Sequence, residues 1–172
     1  MGANPYCYVT DYDADVSRAL HMLRQREFAA GRYDPALQAA NPPTYTFQQR
    51  FPPDERFPSP GAQHASLEEA FQSGMETASG TGSILDIVGV SPTPEMLHAS
   101  PSTRDALIAA FATAEPSRDQ ALGLTSSDMS NHEQIMKMMM FWEEIGRGEC
   151  RYFVIYDNGA ASALFFAGMS VD

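Results

Sequence analysis

Lysine is nearly missing from this chain: Lys137 stands alone beside ten arginines and 22 acidic residues, and the 172 residues carry a formal charge of −11 at pH 7. A nucleic-acid backbone would be repelled by that field unless the arginines gathered on one face, so no nucleic acid is expected as a partner. The same field favours a protein partner with a basic surface, besides serving solubility. Cysteine is scarce too. Cys7 and Cys150 belong to no CxxC or other metal-ligand spacing, which leaves two buried thiols in strands as the expectation, with a disulfide between them geometrically conceivable but no sign of an oxidising compartment. Long apolar runs are absent: none approaches the roughly 18 residues of a membrane span, and Met1-Gly2-Ala3-Asn4-Pro5 lacks the regions of a secretory signal. No membrane partner and a cytoplasmic location follow as expectations. Tyr6 stands where a myristoylation motif needs Ser or Thr.

Catalytic signatures are missing as well. There is no GxSxG, no HExxH, no calcium-loop spacing and no phosphate-cradling glycine loop. Gly80-Thr81-Gly82-Ser83 precedes a predicted strand instead of following one, the reverse of nucleotide binding. The histidines at 21, 64, 98 and 132 are not spaced as metal pairs, so neither metal nor cofactor is expected.

What is present reads as one α+β domain over 1–172, long enough to bury roughly 70% of its unfolded surface. Residues 6–12 alternate as a first strand. Asp13 or Asp15 caps a helix over 14–30, and Gly31 ends it. Seven of the twelve prolines crowd 34–61 between Tyr45, Phe47, Phe51 and Phe57, predicting a long proline-rich loop pinned by its aromatics. Ser66-Leu67-Glu68-Glu69 is a capping box for a short helix, and Ser83 to Val88 reads as a second strand. Ser91 to Pro101 reads as a loop, with Pro101 opening the next helix, and Ser117 starts another turn or two. Ser130-Asn131-His132-Glu133 is a second capping box, opening a helix to about Ile145 that is apolar on more than one side. Its run Met136-Lys137-Met138-Met139-Met140 suits the core, or alternatively a partner-binding face. Asn158-Gly159 between two apolar runs predicts a C-terminal β-hairpin with Tyr156 opposite Ala161, Val154 opposite Ala163 and Phe153 opposite Leu164. Both faces of that hairpin are apolar. A mixed or antiparallel sheet of about four strands is expected, with helices on one side and the proline-aromatic segment on the other.

Glu27 is the leading site candidate, because Val16, Ala19, Leu20 and Leu23 lie on one helical stripe and Glu27 is its next position. A carboxylate facing the interior needs a partner, and Arg24, Arg32 and Tyr33 are near in sequence. It acts either as a lock on the following loop or as a general acid or base with a pKa raised by its setting. His64, between the proline-rich stretch and a helix N-terminus, is the candidate helper. Asp86 is a second acid in an apolar run, and its approach to Glu27 would make a catalytic pair.

Arg26-Glu27-Phe28-x-x-Gly31-Arg32-Tyr33-x-Pro35, Pro60-Gly61-x-x-His64-Ala65-Ser66-x-Glu68-Glu69-Ala70, Ser83-Ile84-Leu85-Asp86-Ile87 and Phe165-Phe166-Ala167-Gly168-Met169-Ser170-Val171-Asp172 together resemble a set of small acidic bacterial proteins from actinomycetes and similar phyla. That set has no established activity, so the resemblance implies a bacterial cytoplasmic setting. The functional expectation is an acidic interaction factor, of immunity or inhibitor type or an accessory subunit, on a basic partner. The alternative is a small-molecule enzyme using Glu27 and His64, with Arg32 and Tyr33 orienting substrate. The oligomeric state is left open.

Overall fold

Alternate residues of a strand point to opposite faces, and Tyr6-Cys7-Tyr8 is buried throughout, so the first strand belongs to a sheet covered on both sides. The computed structural model describes residues 3–35, 51–54, 57, 59–125 and 132–171. Tyr45, Phe47 and the Ser130-Asn131 half of the second capping box lie outside the described residues. The fold is α+β. Strands β1 (Pro5–Asp11), β2 (Gly89–Val90), β3 (His98–Pro101), β4 (Cys150–Asp157) and β5 (Ala160–Met169) form one mixed sheet, in the order β1-β5-β4-β3-β2. β5 is antiparallel to both β1 and β4, whereas β4, β3 and β2 run parallel. The sheet therefore has five described strands, not four.

Helices α1 (Val16–Ala30), α2 (Leu67–Glu76), α3 (Arg104–Phe111), α4 (Arg118–Gly123) and α5 (His132–Glu143) complete the order. Tyr6, Tyr8, Leu164 and Phe166 share one core with Leu20 and Leu23 of α1, Leu67 of α2 and Ile84, Leu85 and Ile87. Cys7, Phe153, Ile155 and Phe165 share the other with residues of α3, α4 and α5. Helices thus cover both faces, where the proline-aromatic stretch had been expected on one. The described Phe51 of that stretch does pack inward, its ring 5.3 Å from that of Tyr8 and edge-on to it.

Asn158 and Gly159 both take positive φ, +50° and +75°, the two-residue turn that matches strand twist. Tyr156 faces Ala161 as expected, but a bulge at Ser162 then shifts the ladder by one, so Val154 faces Leu164 and Phe153 faces Phe165. Ser162 Oγ donates to the Ile155 carbonyl at 3.1 Å, filling the gap the bulge opens. The shift stacks Phe153 on Phe165 at 4.9 Å.

Ser83 to Val88 is not a strand. Ile84–Asp86 forms a 3₁₀ turn, because Ser83 Oγ accepts from Leu85 N–H at 3.3 Å and the Asp86 carboxylate folds back on Thr81 and Gly82. The strands lie just beyond it: β2 follows directly, and β3 falls within the Ser91 to Pro101 stretch read as loop. Pro101 ends β3, and Thr103 caps α3. The two thiols are free, one in each core and two strands apart, roughly 9–10 Å by strand spacing and beyond disulfide reach.

Candidate functional site

The buried stripe of α1 runs Ala19, Leu20, Leu23, Glu27, and Glu27 is 0% exposed. Its Oε2 accepts from Arg32 Nε at 2.6 Å, and its Oε1 accepts from Arg32 Nη2 and Arg26 Nε, each at 2.8 Å. Arg32 reaches back because Gly31 takes φ +72° and reverses the chain, and the Arg32 N–H itself donates to the Glu27 carbonyl at 3.0 Å. Such a two-pronged pair fixes orientation as well as charge. The Glu27 hydrogen bond raises the Arg32 pKa, and Tyr8 is held protonated first by burial and then by the nearby Glu27 charge.

The next turn of chain is anchored to the same helix end. Gly61 N–H donates to the Ala30 carbonyl at 3.0 Å, and Tyr33 stacks on Phe28 with ring centres 5.9 Å apart. Gln63 N–H donates to the Tyr33 hydroxyl at 2.9 Å, which directs the phenol proton to His64 Nδ1, 3.0 Å away. That assigns His64, from the network, as the tautomer protonated on Nε2. Burial raises the Tyr33 pKa, which keeps that proton in place at neutral pH. Glu27-Arg32 and Tyr33-His64 are therefore two separate pairs at one helix end, with no hydrogen bond between them among the described residues.

Arg24 and Asp86 sit elsewhere. Arg24 donates from Nη2 to the Leu85 carbonyl at 3.1 Å and does not bond Glu27, while its Nε is buried with no hydrogen-bond partner among the described residues. Burial lowers the Arg24 pKa, against the pull of Glu68 and Asp86. Asp86 Oδ1 accepts from Thr81 N–H at 2.7 Å and Oδ2 from Gly82 N–H at 3.2 Å, so its bonds run to its own turn and not to Glu27. Burial raises its pKa and those donors pull it back. Because the folded value lies above the ordinary 3.8, stability from this group is greatest below 3.8 and declines as pH rises through the folded value. A carboxyl-carbon NMR titration should put the Asp86 midpoint above 3.8; a midpoint at or below it would mean that the donors outweigh burial.

A second feature lies on α5. Residues three and four apart share a helix face, and Met136, Met139 and Met140 are exposed to 45%, 47% and 55% with Glu143 on the same side. Phe141 and Ile145 are buried opposite them, and Trp142 Nε1 donates to the Leu124 carbonyl at 3.2 Å. The helix thus has one apolar face in the core and another in water. Met136, Met139 and Met140, read as suiting the core or alternatively a partner-binding face, belong to the outer one. Lys137, the single lysine, is taken by Glu133 at 2.5 Å, and Glu143 and Glu144 are exposed. The signal was readable as i, i+3, i+4 spacing, but an all-round apolar helix is ordinarily a buried one.

Among the described residues no group of three or more His, Cys, Asp or Glu could hold a metal ion, and no helix is long and apolar enough to cross a membrane. No family model, no curated protein and no solved structure matches the chain.

Proposed function

We propose that this protein is an acidic interaction factor, of immunity or inhibitor type or an accessory subunit, which docks on a basic, amphipathic segment of a partner protein. The observation that carries the reading is the methionine face of α5, three adaptable thioether side chains held in water beside exposed Glu143 and Glu144. Methionine fits varied apolar contours without a fixed shape, and the carboxylates and the −11 charge select a cationic partner. A reducing, cytoplasmic setting accords with two buried thiols. Acid-base chemistry at Glu27 with His64 is the second reading; it has less support, because both Glu27 oxygens already accept from guanidinium groups and His64 Nδ1 faces Tyr33.

The test uses a tryptophan-free helical peptide of leucine and lysine, with the emission of Trp142, the single tryptophan, as the signal. The expected result is saturable binding with a dissociation constant on the order of micromolar, weakened by salt, and at least about tenfold weaker when Met136, Met139 and Met140 are all changed to Gln. Equal affinity in the triple variant would overturn the assignment of the face.

A further inference from the structure

In a chain with twice as many acids as bases, two arginines remote in sequence line one cleft. Arg26 of α1 and Arg118 of α4 border a cavity of about 410 Å³, with Val9, Pro53 and Leu122 as apolar wall and Asp54 beside them. That volume lies within the range of small-molecule sites, and an apolar lining with a few placed polar groups is their usual make-up.

The Arg26 guanidinium is not a loose surface charge. Its Nε donates to Glu27 Oε1 at 2.8 Å, and Glu27 is fully buried and gripped by Arg32 on both oxygens. The carboxylate therefore holds the Arg26 fork by one edge, while the side chain remains 48% exposed and lines the cleft. Arg118 is exposed, lines the same cleft, and makes no ion pair or side-chain hydrogen bond among the described residues. Guanidinium groups bind carboxylate and phosphate oxygens through paired N–H donors, and a group already oriented loses less freedom on doing so.

We propose that this cleft binds a small organic anion, whose carboxylate or phosphate lies between Arg26 and Arg118 and whose apolar body rests on Val9, Pro53 and Leu122. Glu27 is then a positioning residue, acting through Arg26. The site is separate from the methionine face and stands or falls independently of it.

Phenylacetate and phenylphosphate serve as probes of the two head groups, titrated by calorimetry into the intact protein at constant ionic strength. Saturable binding of at least one is expected, with the tighter of the two naming the head group. Arg118→Ala should weaken it about tenfold or more while leaving the melting temperature unchanged, since Arg118 is exposed and makes no ion pair among the described residues. Arg26→Ala should weaken it similarly, and Arg118→Ala alone decides the matter if that variant is unstable. Failure of both probes to saturate by about 10 mM, or equal affinity in Arg118→Ala, would overturn the proposal.

Discussion

Glu27→Ala is expected to destabilise the protein by about 3–5 kcal/mol, because it strips the counter-charge from Arg32, whose side chain is only 15% exposed, and from Arg26. For a chain of this length the loss corresponds to a fall in melting temperature of roughly 6–20 °C. Removing both members of the main pair leaves no buried charge uncompensated, since Arg26 is half exposed to water, so Glu27→Ala with Arg32→Ala should cost less than the two single changes added, by more than about 1 kcal/mol. Thermal and urea denaturation measure all three variants. A single Glu27→Ala within about 1 kcal/mol of the parent, or strict additivity, would show that the pair does not fasten the helix end.

The second large effect is expected at Gly31. A β-carbon there would lie 2.0 Å from the Gly61 carbonyl oxygen, and the residue holds φ +72°. Gly159 makes the comparison clean: its φ is +75°, and a β-carbon would meet nothing within 4 Å. Gly159→Ala should therefore report the left-handed backbone alone, about 1–2 kcal/mol, whereas Gly31→Ala adds overpacking for about 2–5 kcal/mol in total. Equal losses at the two positions, measured by urea denaturation, would mean that the Pro60-Gly61 segment yields freely and is not clamped across α1.

Much of the frame was legible because local chemistry and tertiary packing agree there. Asp15 caps α1, Gly31 ends it, Glu27 continues the buried stripe, and Asn158-Gly159 turns the hairpin. The partner of Glu27 was narrowed but not chosen, since Arg24 and Arg32 are both within one turn or so. The choice fell to the reversal at Gly31, which turns Arg32 back while Arg24 points to the Leu85 carbonyl. Ile84-Leu85-Asp86-Ile87-Val88 misled because its composition suits a strand, yet Asp86 and Ser83 satisfy main-chain donors locally. β2 and β3 were hidden for another reason. Runs of two and four residues are too short to show a period, and β3 is specified by pairing to the distant β4. The bulge at Ser162 left no glycine to betray it. Nor could the pattern of residues disclose that Arg26 and Arg118 meet at one cleft, because only the packing of α1 and α4 around the sheet brings them together.

β5 follows every other element along the chain yet lies inside the sheet, between β1 and β4. On the ribosome, β1 is therefore made well before β5, its one strand neighbour among the described residues, and waits for it until residues 160–169 have been made. Until then Tyr6, Cys7 and Tyr8 are a short, sticky, unpaired segment, the kind that chaperones shield. Completion is then abrupt: one late strand zips both sides at once, and amide protons of β1 and β5 should exchange with solvent together, at the rate set by opening of the entire sheet.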